Sequence, residues 1–262
     1  MEECAPILMK ELLDSFKQKL ANGYVIGPFM KTGDPAFVEV AGYAGFDFVI
    51  LDTEHGPVSI ESMQNNIRAA LVSGIVPIIR VQDHQEVNIA KALDIGALGV
   101  QVPQITNAEE AEKVVKAARF YPNGSRGVCR FVRAARYSAM DRYQYFRSAD
   151  DNLIILQLEG QEALKNIDEI LEVEGVDMLF IGPYDLSQSL GVPGDVKNPR
   201  VIEQMEFIVE KAKGKNKIIG TFIDSLEGLK RWKKAGVQYL SYSVDVGIFL
   251  EACRTIVEAA KR

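Results

Sequence analysis

The chain is poor in the residues that usually anchor metals and redox chemistry, with two histidines, three cysteines and one tryptophan among 262 residues. Cys4, Cys129 and Cys253 are odd in number and share no short spacing, which excludes a disulfide framework and a cysteine-type zinc site. No apolar run approaches the roughly 18 residues of a membrane span, and no apolar stretch behind a basic flank follows the Met-Glu-Glu start. Neither membrane anchoring nor export is therefore expected, and the expected compartment is the cytoplasm. Basic charge is short as well. The 30 Lys and Arg against 36 Asp and Glu leave a net charge of -6, with no Lys/Arg stripe to grip a phosphate backbone, so nucleic acid is not an expected partner.

What is present reads as a globular enzyme. Hydrophobic residues make up 47% and charged residues 25%, and the length suffices for one large core. Ile7, Leu8, Leu12, Leu13, Phe16 and Leu20 recur at helical spacing over residues 7–21 and stop at Asn22-Gly23. Short apolar runs follow at 24–29, 46–51, 76–80, 99–102, 153–158, 178–181, 218–222 and 238–241. Helical periodicity lies between most of them, as at 60–72, 86–94, 108–118 and 201–212. Gly45, Gly175 and Gly236 stand where preceding helices would end. Near-continuous apolar strands alternating with helices predict an α/β fold: a single (β/α)8 barrel over residues 1–262, preceded by an N-terminal helix. The main irregularity is the arginine-rich stretch 120–152, and connections of that length are more often functional than random.

In such a barrel the chemistry gathers at the C-terminal ends of the strands. The second run delivers Asp52-Thr53-Glu54-His55-Gly56-Pro57, the third Arg80, the fifth Gln157-Leu158-Glu159-Gly160 and the sixth Gly182-Pro183-Tyr184-Asp185. Glu159 and Asp185 suit a hard divalent ion such as Mg2+ or Mn2+, and two carboxylates leave positions open for a 2-oxo acid. The same two residues also fit ordinary rim carboxylates. His55 fits either a base reaching the cavity or a structural loop histidine, whereas His84 beside Asp83 reads as structural. Arg80 suits a carboxylate or enolate oxygen, or an internal ion pair. Arg126 fits a second anionic group as well as a solvated basic face shared with Arg119, Arg130, Arg133 and Arg136. Gln157 lies two residues before Glu159, on the same face of its strand, where it would orient substrate or a metal-bound water. A Schiff-base alternative needs a lysine at a strand end; Lys31 is the serious candidate, and it reads more readily as a surface residue.

Four motifs in order resemble the HpcH/HpaI aldolase family. They are Gly45-Phe-Asp-Phe-Val-Ile-Leu-Asp-Thr-Glu-His-Gly56, Leu93-Asp-Ile-Gly-Ala97, Tyr121-Pro-Asn-Gly-Ser-Arg-Gly127 and Phe180-Ile-Gly-Pro-Tyr-Asp-Leu-Ser187. The resemblance runs from about residue 23 to the C-terminus. It implies a metal-dependent aldolase that splits a 4-hydroxy-2-oxo acid into pyruvate and an aldehyde, using Mg2+, Mn2+ or Co2+. It also implies Glu159 and Asp185 as metal ligands, His55 as the base paired with Asp94, and Arg80 as the enolate clamp. Gly182 and Pro183 would contact the pyruvate carboxylate through their backbone, and Asp52 would support the mouth, in its own subunit or a neighbour's. The family pattern further implies a homotrimer or homohexamer, with the C-terminal helix over 249–260 exchanged between barrels.

Departures from the pattern are local. Residues 128–133 and 82–85 vary where they would border the aldehyde pocket, and Gly160 follows Glu159 where a threonine is common, a change expected to tune the surroundings of the metal. Two rival readings stand beside the aldolase: a citrate-lyase-like or malyl-CoA-type lyase on the same barrel, for which no basic adenine-phosphate site is evident, and a non-catalytic 2-oxo-acid-binding oligomer.

Overall fold

The computed structural model describes residues 4–261. Eight parallel strands close one barrel in chain order: β1 (Val25–Met30), β2 (Phe48–Asp52), β3 (Val76–Arg80), β4 (Gly99–Val102), β5 (Leu153–Leu158), β6 (Met178–Ile181), β7 (Ile218–Ile223) and β8 (Tyr239–Val244). Helix α1 (Cys4–Asn22) precedes them, and α2 (Pro35–Tyr43), α3 (Ile60–Val72), α4 (Glu86–Asp94) and α5 (Ala108–Ala118) return the chain after β1 to β4. Helix α6 (Arg142–Ser148) lies before β5, followed by α7 (Gln161–Lys165), α8 (Ile167–Leu171), α9 (Pro183–Ser189), α10 (Pro199–Gly214), α11 (Leu226–Ala235) and α12 (Asp245–Ala260).

The strands are largely apolar because both their faces are covered. Outward side chains such as Val49, Leu51, Ile79, Val100 and Leu156 pack under the helices in one continuous core. Inward ones, including Phe48, Ile78, Ile155, Phe180 and Tyr239, fill the barrel itself. The amphipathic pattern of α1 is explained by the foot of the barrel, where Leu13, Phe16 and Leu20 are buried against the strand starts Val25, Phe48, Val76, Leu98 and Leu153.

The expected strands over 76–80, 99–102, 153–158 and 178–181 form with those bounds. The second strand starts two residues later than expected, because Phe46 still belongs to the helix exit: its N–H donates to the carbonyl of Ala41 while Gly45 takes φ 95°. Gly236 likewise turns left-handed (φ 92°) to end α11, whereas Gly175 lies in the turn beyond α8 rather than on its cap. Helix α10 begins at Pro199 under an Asn198 cap, ahead of the apolar periodicity that marked it.

The long connection corrects an expectation. It leads from α5 into β5, so it lies at the foot of the barrel, opposite the ends of the strands. Residues 128–133 therefore do not border the mouth of their own barrel, and Arg133 donates to the carbonyl of Ile95 just before β4. The segment carries its own small cluster of Phe120, Ala135, Tyr145 and Ala149, and Arg119 pins it by donating to the carbonyls of Ala149 and Asn152 (2.9 and 2.8 Å).

At the other end of the chain α12 buries Asp245 alone, and Val246, Phe249, Leu250, Ile256 and Val257 face outward. Asp245 holds the loop after β1, accepting from the amides of Lys31 and Thr32 and from the Thr32 hydroxyl. Among the described residues no helix is long and apolar enough to cross a membrane.

Candidate active site

Register builds the first half of the site. Asp52 ends β2 level with Arg80 at the end of β3, and Arg80 is level with Gln101 on β4. Arg80 meets Asp52 at two points, Nε to Oδ1 at 2.9 Å and Nη2 to Oδ2 at 2.8 Å, and its third nitrogen Nη1 reaches Glu54 Oε2 at 2.8 Å. The guanidinium also lies over the ring of Phe29, 4.7 Å from its centroid. Lys31 adds a second cation to the same carboxylate, with Nζ 3.0 Å from Asp52 Oδ2. Burial alone would raise the Asp52 carboxyl, but Arg80 and Lys31 hold it below its ordinary value.

The second half hangs on β5. Gln101 donates to Gln157 Oε1 (2.7 Å), and Gln157 donates to Glu159 Oε2 (2.5 Å), as their shared strand face predicts. The other oxygen of Glu159 accepts the amide of Gln104 (2.8 Å), a residue in the left-handed region at φ 58°. Gly182, between β6 and α9, leaves room for this carboxylate: a Cβ there would lie 2.4 Å from Glu159 Oε2 and displace it. Burial, with the nearby charges of Asp185 and Glu54, pushes the Glu159 carboxyl up to about 7. Glu54 is raised chiefly by burial, against the pull of Arg80 and His55. A buried carboxylate crowded by like charge and faced by a second carboxylate is the environment a divalent cation relieves, and the donors are the hard oxygens Mg2+ and Mn2+ take. The residues fit such an ion.

Of these groups Arg80, Gln157, Gly182 and Asp185 line a cavity of 350 Å³, together with Phe29, His55 and Pro183 among others. His55 is more than half exposed, and its amide and that of Glu54 both donate to Asp52 Oδ1. Its nearest acidic partner is Glu54, Nε2 to Oε2 at 3.9 Å. The expected partner Asp94 is elsewhere. It ends α4 at the foot of the barrel and pairs with Arg126 at 2.5 Å, so one chain does not bring Asp94 to His55. Arg126 is correspondingly buried, over the ring of Phe120 at 4.8 Å, and ties the long connection down instead of facing the mouth.

The Gly182 amide donates to the Leu158 carbonyl (3.3 Å) and Pro183 has no N–H, so the first-turn amides of α9 that no helical carbonyl reaches are those of Tyr184 and Asp185. Tyr184 leans across to Asp224, its hydroxyl donating to Oδ2 at 2.7 Å, and burial with that carboxylate pushes its phenol up to about 12. Sequence reasoning missed Glu54, Gln101 and Gln104. Gln101 was legible as a polar side chain inside an apolar strand and Glu54 as the neighbour of His55, whereas the turn that aims the Gln104 amide leaves no sequence signal. His84 is exposed, and Asp83 beside it accepts from the Gln85 amide and the Asn88 side chain, as the structural reading expects.

Comparison with known proteins agrees with this geometry. Over 92% of its length the chain is 34% identical to a 2-keto-3-deoxy-L-rhamnonate aldolase of Escherichia coli O9:H4 (strain HS), 91% of which is covered. Over 95% of its length it is 33% identical to a 5-keto-4-deoxy-D-glucarate aldolase of Citrobacter koseri, 97% of which is covered. It superposes with a TM-score of 0.90 on the crystal structure of an HpcH/HpaI aldolase/citrate lyase family protein from Burkholderia cenocepacia J2315, at 29% identity and covering 95% and 99% of the two chains. Residues 26–252 match the family described as HpcH/HpaI aldolase/citrate lyase, and the chain belongs to it.

Proposed function

We propose that the protein is a class II aldolase that reversibly cleaves a 4-hydroxy-2-oxo acid to pyruvate and an aldehyde at the mouth of this barrel. One observation carries the reading: a carboxylate-clamped Arg80, Asp185 and His55 border the same cavity, and Glu159 lies just behind its wall, held by the lining residue Gln157. Glu159 and Asp185 would hold a divalent ion, Mg2+, Mn2+ or Co2+. Among the described residues no third His, Cys, Asp or Glu converges with them as a cage, which leaves room for oxygens from the keto acid. Bound there, the ion supplies Lewis acidity to the keto acid's oxygens.

The chain's own residues account for the rest. The amides of Tyr184 and Asp185 suit the keto acid's carboxylate, and Gln157 orients what sits beside Glu159. Two of the five guanidinium N–H groups of Arg80 are hydrogen-bonded to Asp52 while Nη1 lies in ion-pair range of Glu54, which leaves N–H groups available to the oxygen that becomes the enolate. His55 takes the proton of the 4-hydroxyl; the C3–C4 bond then breaks, its electron pair passes into the pyruvate enolate, the aldehyde carbonyl forms, and a proton returns to C3. Glu54, with Oε2 3.9 Å from His55 Nε2, supports an acidic partner for His55 within one chain, the role the resemblance gave to Asp94.

The outward apolar face of α12 supports assembly as a trimer or hexamer, in which a neighbouring copy covers Phe249, Leu250, Ile256 and Val257. Light scattering checks the assembly. For the activity, pyruvate formed from a 4-hydroxy-2-oxo acid is followed with Mn2+ and with excess EDTA: loss of turnover in EDTA and its return on adding metal are expected, and full turnover in EDTA would remove the metal from the reading.

A further inference from the structure

Beside the mouth lies a second cavity, 440 Å³ in volume, between the start of α9, helix α10 and the loop that joins β7 to α11. Pro183, Tyr184 and Phe222 line both cavities, so the two are neighbours across one thin wall. Tyr184 is the most exposed residue of that shared wall, at 44%. Its ring meets Phe222 edge-on at 5.9 Å, and its hydroxyl is tied to Asp224 Oδ2 at 2.7 Å. The floor behind it is apolar, built from Val196, Ile202, Met205 and Trp232. The cations at its rim are already matched, Arg231 with Glu206 at 2.9 Å and Lys197 with Glu227 at 3.9 Å. Asp224 adds a carboxylate at the entrance, which disfavours an anionic tail.

We propose that Tyr184, tethered by Asp224, sets the length of the acceptor aldehyde by closing the mouth off from this side cavity, which takes the tail of a neutral, apolar aldehyde when the wall is removed. The inference rests on the aldolase reading and assigns its specificity. On the aldolase reading the acceptor would lie above the keto acid, toward the exposed end of the site, where Tyr184 is 44% exposed. A short aldehyde fits under that ring; a longer chain meets it.

The test compares kcat/KM for addition of pyruvate, with Mn2+ saturating, to acetaldehyde, hexanal and succinic semialdehyde. Tyr184→Ala is expected to shift the hexanal-to-acetaldehyde ratio upward by at least about tenfold, the scale set by a few methylenes entering an apolar pocket. Succinic semialdehyde, ending in a carboxylate, should not share the gain. Filling the cavity in the Tyr184→Ala background, by Ile202→Trp or separately by Met205→Trp, should return the ratio toward wild type. Circular dichroism and thermal unfolding show that each variant is folded, and two filling sites guard against one of them failing. An unmoved ratio in Tyr184→Ala, or a gain that persists in both filled variants, overturns the length rule alone. No acetaldehyde addition by the wild type would bring down the aldolase reading and the length rule together.

Discussion

Arg80 and Asp52 lie side by side at the ends of adjacent strands and share two hydrogen bonds, 2.9 and 2.8 Å long, with Asp52 fully out of water. A pair this buried is costly to break from one side, because the survivor keeps its charge and loses its partner. Asp52→Asn should therefore destabilise the fold by about 3–5 kcal/mol at neutral pH. The sign of the pH dependence follows from the lowered folded value of the Asp52 carboxyl. Its contribution is fully present above the ordinary carboxylate range, near 4, and is lost as pH falls through the lower folded value. Urea unfolding of wild type and variant should show a gap that is wide at pH 7 and narrows toward pH 3; a gap independent of pH would show that Asp52 is not held ionised by its partners.

Glu159→Gln and Asp185→Asn should each weaken Mn2+ binding by at least about tenfold, the usual scale for disturbing a metal's coordination. Calorimetric titration with Mn2+ alone reads this without turnover. Unchanged affinity in both variants would place the ion elsewhere.

Loss of the base is expected to slow aldol cleavage by about 10²–10⁴-fold in His55→Ala. An effect below about twofold would return His55 to a structural role.

Enolate formation can be followed apart from any aldehyde, as deuterium entering the methyl group of pyruvate. Arg80→Lys keeps the charge but loses the planar fork, and exchange should fall by about 10²-fold or more while Mn2+ affinity stays near wild type. Exchange at the wild-type rate would confine Arg80 to its ion pairs with Asp52 and Glu54.

Lys31 sits at the mouth, yet its ammonium is tied into an ion pair 3.0 Å from the buried Asp52. Borohydride with pyruvate should leave the protein unmodified by mass spectrometry, and an adduct on Lys31 would turn the assignment to Schiff-base chemistry.

Periodicity made the barrel legible. An apolar strand buried on both faces and an amphipathic helix differ in period, and β3 to β6 were readable to the residue. The carboxylates and the arginine of the site were readable for a related reason: a charged residue ending an apolar strand has one place to go. Partners were harder. Asp94 and Arg126 are 32 positions apart in sequence, and nothing local says that they meet each other at the foot instead of serving the mouth. The long connection misled because loop length signals function without saying at which end of the barrel the loop lies. Lys31 was discounted because exposed lysines are common, and what overrode that habit is a carboxylate on the neighbouring strand with no water of its own.

Helix α1 closes the far end of the barrel, and large side chains such as Phe48 and Tyr239 occupy its axis, so the site has a single door. Everything that reacts arrives and departs by one route, and position in the funnel dictates sequence in time. On the proposed reading the keto acid would sit beside the buried Glu159 and Arg80, and the aldehyde nearer the rim. Entry should then be ordered, keto acid first, with the aldehyde leaving first and pyruvate last on cleavage. Product inhibition would report that order as a kinetic pattern, with pyruvate competing directly against the intact 4-hydroxy-2-oxo acid for the empty enzyme and the aldehyde inhibiting noncompetitively.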